Sequence, residues 1–137
     1  MKVIDMDTLQ GALAEYFAPW VQDLGLKVEA FEGGSVTLRL PQSPQLSRVG
    51  GMLCGQAMMA AADTAMVLAL ISQFGEFRPC TTVQLNTSFL KPLSNQDALV
   101  QAQVLRAGKS LAFGEIDIRG ADDGKSVCRA STTYALL

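Results

Sequence analysis

Residues 55–74, GQAMMAAADTAMVLALISQF, limit the possible folds more than any other stretch of the chain. Ala, Met, Leu and Gln dominate, all strong helix formers, and no Gly or Pro follows Gly55. The spacing predicts one long helix from about Gly55 to Phe74. An amphipathic surface helix keeps a polar stripe, but this one is apolar on nearly every face, so the rest of the chain must enclose it. Its apolar run Ala57–Ile71 is shorter than the roughly 20 residues that cross a bilayer, and Asp63 interrupts it. The expectation is a buried helix in a soluble protein, with no membrane partner.

The enclosing material reads as strands. Leu26–Glu32 alternates, Gly33-Gly34 supplies a tight turn, and Ser35–Leu40 alternates again, which is a hairpin pattern. After Phe74 the period stays near two through Thr81–Leu90, Ala98–Leu105, Ser110–Ile118 and Ser126–Leu136, with turn residues at Ala107-Gly108 and Asp123-Gly124. Short connections predict that these four strands follow one another as antiparallel neighbours. A first helix is expected over Asp5–Phe17, capped by Asp7 or Thr8 and ended by Pro19. Six strands and one long apolar helix imply an α+β domain over residues 1–137, a curved antiparallel sheet wrapped around the helix, with a short N-terminal helix beside it.

Composition removes several chemistries. The chain has no histidine, which excludes Ser-His-Asp and Cys-His nucleophile systems and His-ligated metal sites. The cysteines Cys54, Cys80 and Cys128 have no metal-like spacing, so no metal is expected. With no signal peptide visible they read as reduced thiols of a cytoplasmic protein. A formal net charge of −2 offers no broad basic field for nucleic acid. What remains for acid–base work is a carboxylate, and one stands out. Between Arg48 and Glu76, Asp63 is the sole charged residue. A carboxylate taken out of water without partners costs several kcal/mol or more, so either neighbours satisfy it or it has work to do.

Cys54-Gly55-Gln56 with Asp63 at the head of the central helix, together with the element order, resembles the hotdog-fold acyl-CoA thioesterases of the phenylacetate-pathway type over roughly residues 30–136. That family's motif runs Asn, Gly, His-Gly-Gly, with an Asp nine residues after the His. This chain keeps Gly51, Gly55 and Asp63 at those spacings. Asn86-Thr87-Ser88-Phe89-Leu90-Lys91-Pro92 resembles the family's third strand with its aromatic, basic residue and Pro; Gly108-Lys109-Ser110 and Asp123-Gly124-Lys125 resemble its later turns. The chain departs from the pattern at Arg48 for the Asn, Cys54 for the His and Gln56 for the second Gly.

The resemblance implies a hotdog fold and hydrolysis of an acyl-CoA thioester, with coenzyme A as part of the substrate and no separate cofactor. Asp63 is then general base or nucleophile, the Gly55 N–H polarises the thioester oxygen, and Thr82, with Thr81 as the near alternative, holds the attacking water. Arg48, Cys54, Gln56, Lys91, Gly108, Lys109 and Ser110 are the candidates for binding substrate and coenzyme A. Eight residues of helix separate Gly55 from Asp63, about 12 Å of rise, so one thioester carbon cannot meet both in a single chain. A homodimer with paired sites is expected, and pairing of dimers stays open. Rival readings are a non-catalytic acyl-CoA-binding module and, ranked lower, an acyl-thioester hydratase. A Cys54 thiol nucleophile at the helix start ranks low, because no His is present to take its proton.

Overall fold

The computed structural model describes residues 4–137. Helix α1 (Met6–Glu15) and the one-turn helix α2 (Pro19–Gln22) lead into β1 (Lys27–Glu32) and β2 (Ser35–Leu40). The central helix α3 spans Gly55–Phe74, and β3 (Cys80–Phe89), β4 (Ala98–Ala107), β5 (Leu111–Gly120) and β6 (Ser126–Leu136) follow. All six strands form one antiparallel sheet in the order β1-β2-β4-β5-β6-β3.

The sheet closes over α3 as the hydropathy of that helix requires. Ala61, Ala62, Ala65, Met66, Leu68 and Ala69 are fully buried, and α3 packs chiefly against β4, β2 and β5. Small side chains on the helix let the strands approach closely, and at one point the approach needs glycine. A Cβ on Gly114 of β5 would lie 2.4 Å from Met66 Sδ and 2.9 Å from the backbone oxygen of Gln103. By length and hydropathy α3 could cross a membrane, but most of its surface is buried within the fold. Gly75, at φ 80°, stops it, donating its N–H to the Ile71 carbonyl at 2.9 Å.

Three expectations about connection, capping and helix ending fail. The last four strands are not a sequential meander: β4, β5 and β6 are, but β3 pairs with β6 at the sheet edge, and β4 pairs with β2. The segment 90–97 between β3 and β4 is long enough to carry the chain across the sheet rather than turn it back. At the N-terminus the cap of α1 is Asp5, not Asp7 or Thr8. Its Oδ1 accepts the N–H of Thr8 at 2.8 Å and the Thr8 hydroxyl at 2.7 Å, and these bonds hold its carboxyl below the usual range. Nor does Pro19 simply end a helix: α1 has already stopped at Glu15, and Pro19 opens α2, where its missing N–H costs nothing.

Candidate active site

Asp63 lies on the part of α3 that faces β3 and β6, half-buried rather than sealed in the core. The Thr82 hydroxyl on β3 donates to Asp63 Oδ1 at 2.9 Å, and the Tyr134 hydroxyl on β6 makes a short hydrogen bond to the same oxygen. Of the two threonines considered, Thr82 is therefore the one that meets Asp63. A bulge decides this. The β3–β6 register slips at Val83, so Thr82 pairs with Tyr134 and Leu85 with Thr132, and both β3 residues face the helix. Without the extra residue strict alternation would turn Leu85 to the opposite face. The neighbouring hydroxyl of Thr64 is already committed, donating to the Ala60 carbonyl at 2.8 Å.

Tyr134 is the site residue that sequence reasoning missed. It is 2 % exposed, and its phenol also lies 3.0 Å from the Asp63 backbone oxygen. Burial, and then the adjacent Asp63 charge, push its pKa above the normal tyrosine range, so it stays a proton donor. Burial and the same carboxylate also raise the Cys80 thiol, which keeps it protonated near neutral pH. The signal was present in β6: an inward-facing Tyr needs a partner for its hydroxyl, and the apolar helix opposite offered a single charged side chain.

A cavity of about 300 Å³ opens beside Asp63, walled by Tyr16, Phe17, Trp20, Val67 and Phe77 along with Thr82 and Tyr134. Tyr16 and Phe77 stack with ring centroids 4.0 Å apart and planes 7° from parallel. Asp63 is the one charged residue in this lining.

Gly55 lies in a different cavity, of about 440 Å³, with Arg48, Met52, Met58, Phe89, Lys91 and Pro92. Two short pairings build it. The Leu53 N–H donates to the Leu93 carbonyl at 2.9 Å, and Met52 bridges Ser94, which ties the loop carrying Arg48 to the segment carrying Lys91. Gly50 and Gly51, at φ 99° and 81°, turn that loop in a region other residues rarely adopt. At the head of α3 the first-turn N–H groups lack intrahelical partners, and the Cys54 side chain makes no capping bond to them. A Cβ on Gly55 would come within 3.3 Å of the Phe89 ring, so the glycine keeps this approach open.

The remaining candidates divide. Arg48 and Lys91 join Gly55, while Cys54 and Gln56 are not in the lining of its cavity. Cys54 is the N-cap of α3, and Gln56 is exposed. Gly108, Lys109 and Ser110 form the β4–β5 turn at the other end of the sheet. There the Leu136 N–H donates to the Ser110 carbonyl at 2.8 Å, and Ala112 pairs with Tyr134. They share an end with Asp63, not with Gly55. The chain thus carries two separated cavities, one with the carboxylate and one with the helix N-terminus. Among the described residues no cluster of His, Cys, Asp or Glu could hold a metal ion.

Comparisons with known proteins identify the family. The chain belongs to the thioesterase superfamily, whose sequence pattern matches residues 50–127. It is 30% identical to a curated relative from Sulfurisphaera tokodaii named "Putative esterase", over 77% of this chain and 76% of that one. A solved structure from Silicibacter sp. TM1040, described as a "putative thioesterase", is 28% identical and superposes with a TM-score of 0.88 over 100% of this chain and 94% of that one. Zebra fish thioesterase superfamily member 2, at 23% identity, shares the fold with a TM-score of 0.87 over 98% and 99% of the two chains. The architecture is the hotdog fold, and membership supports hydrolysis of thioesters as the chemistry of this chain.

Proposed function

We propose that this protein hydrolyses acyl-CoA thioesters in composite sites, each built from the Gly55 half of one protomer and the Asp63 half of a second. The observation that carries the reading is the separation of the two half-sites along one rigid helix, about 12 Å by helix rise, in cavities that share no lining residue. The free N–H groups at the head of α3 supply hydrogen bonds and the positive end of the helix dipole to the oxygen of the thioester as it gains charge. Asp63 then acts on the carbonyl carbon in one of two ways. As general base it takes a proton from water; the water oxygen bonds the carbon, the C–S bond breaks, and the thiolate leaves and is protonated. As nucleophile its own oxygen bonds the carbon and expels the thiolate, and water afterwards cleaves the anhydride.

Arg48 and Lys91 beside Gly55 suit the phosphates of coenzyme A, and Lys109, on the Asp63 half, would reach the same site from the second protomer. The aromatic wall near Asp63 suits an apolar acyl group. No separate cofactor or metal has a part in this reading.

The test compares wild type with Asp63→Asn against short, medium, long and aryl acyl-CoAs by thiol release. Loss of an acid–base or nucleophilic group should lower hydrolysis at least ~100-fold, with the fold retained by circular dichroism. Equal activity in both proteins would remove Asp63 from the mechanism. Binding without turnover in wild type would instead make this a ligand-binding member of the family.

A further inference from the structure

We infer that Tyr134 is a positioning residue for the reaction: its phenol, with the Thr82 hydroxyl, holds Asp63 Oδ1 and leaves Oδ2 as the oxygen that reacts. The inference rests on Asp63 being the catalytic carboxylate and goes further by naming the reacting oxygen and what fixes it. Both hydroxyls donate to Oδ1, the Tyr134 phenol in preference to its longer 3.0 Å contact with the Asp63 carbonyl, and among the described residues Oδ2 has no hydrogen-bond partner. A hydroxyl has one proton to give, so neither Thr82 nor Tyr134 has a second one for Oδ2.

The two holders differ in kind. Thr82 is exposed and on the edge strand, whereas Tyr134 is held in the core on β6, 2 % exposed, with β5 and β3 on either side. An Asp on a helix can rotate about its side-chain bonds; a donor that cannot follow it into solvent restricts it to one orientation. Such orientation contributes to rate without contributing to substrate affinity. No Lys or Arg lines the cavity, and besides Asp63 the titratable groups that face it are Tyr16, which caps the C-terminus of α1, Cys80 from β3 and Tyr134 from β6. Within the protomer the carboxylate is therefore answered by hydroxyls alone.

Tyr134→Phe keeps the ring and removes the donor. The expected result is a kcat lower by roughly 10- to 100-fold, as for loss of a group that orients the reacting atoms, with KM nearly unchanged. The second readout needs no turnover. In the unliganded protein the carboxylate stretching bands of Asp63, identified by subtracting the infrared spectrum of Asp63→Asn, should shift in Tyr134→Phe. A merely structural role would lower the melting temperature and leave the band in place. An unchanged kcat or an unmoved band overturns the inference. Should Tyr134→Phe fail to fold, fluorotyrosine incorporated into the otherwise unaltered chain, which makes the phenol a stronger donor, must move the same band, and an unmoved band again overturns it. Full activity in Asp63→Asn would sink the catalytic reading itself; its loss there with wild-type kcat in Tyr134→Phe sinks the positioning role alone.

Discussion

The sheet ends in two edge strands, β1 and β3, made of different material. β1 is short, reads Lys-Val-Glu-Ala-Phe-Glu, and is broken by a register shift between Val28 and Ala30. Its backbone is partly occupied by α1: the Gln10 side chain accepts the Val28 N–H at 2.8 Å and donates to the Leu26 carbonyl at 3.2 Å. Glu29 is tied to Arg39, which also meets Asp97 at 3.0 Å. β3 is longer and reads Cys-Thr-Thr-Val-Gln-Leu-Asn-Thr-Ser-Phe, with no charge and no proline. Val83 and Phe89 are 59 % and 50 % exposed. Natural edges are usually blunted by charge, proline, bulges or a covering element. β1 has several of these devices. β3 has only its bulge at Val83, and it carries Thr82 on its inner side. The contrast supports the proposed composite site: β1 is blunted as a free edge is, and β3 is the edge that a second copy of this chain would cover in that proposal.

The largest effect should come from making β3 resemble β1. Val83→Lys puts like charges on both strands of a two-fold pair, a juxtaposition that costs several kcal/mol. Dimer affinity should fall in step with activity, the dimer weakened ~100-fold or more by sedimentation equilibrium, while the isolated protomer stays folded. Activity that survives in a monomer would break the comparison. A smaller effect separates protomer stability from pairing. Gly114→Ala forces a methyl against Met66 and the Gln103 backbone, and overpacking of this kind costs about 1–3 kcal/mol in urea unfolding, without altering the dissociation constant of whatever folds. The smallest effect belongs to the protected edge. Glu29→Gln removes one partner of an exposed ion pair, so stability should change by less than about 1 kcal/mol, and pairing not at all.

Much of this was legible in the sequence where local pattern and burial agree. The central helix reads from Gly55 to Phe74 because its composition and its glycine stop coincide, and Ser35–Leu40 and Ser126–Leu136 read correctly because each buries one alternating face. What failed was non-local. Alternation in β3 says that it is a strand but not which strand it joins, and proximity in sequence pointed to β4 when the partner is β6. The bulge at Val83 is likewise invisible, because one extra residue looks like a continued strand. In the site, Asp63 stood out as a charge in an apolar run, and Gly55 by its place at the helix head. Tyr134 did not, being 71 positions further along and looking like any core aromatic until its hydroxyl is seen on the carboxylate.

The central claim is that the two halves of a site come from different chains, and subunit mixing tests it most directly. Asp63→Asn keeps Gly55 intact, and Gly55→Val keeps Asp63 while closing the approach beside Phe89. Each alone should be inactive. Unfolded together and refolded, random pairing makes half the dimers mixed, each with one site intact in both halves, so activity should return to about a quarter of wild type. If both halves of a site came from the same chain, every site in the mixture would lack one of them, and the activity would stay at the level of the single variants.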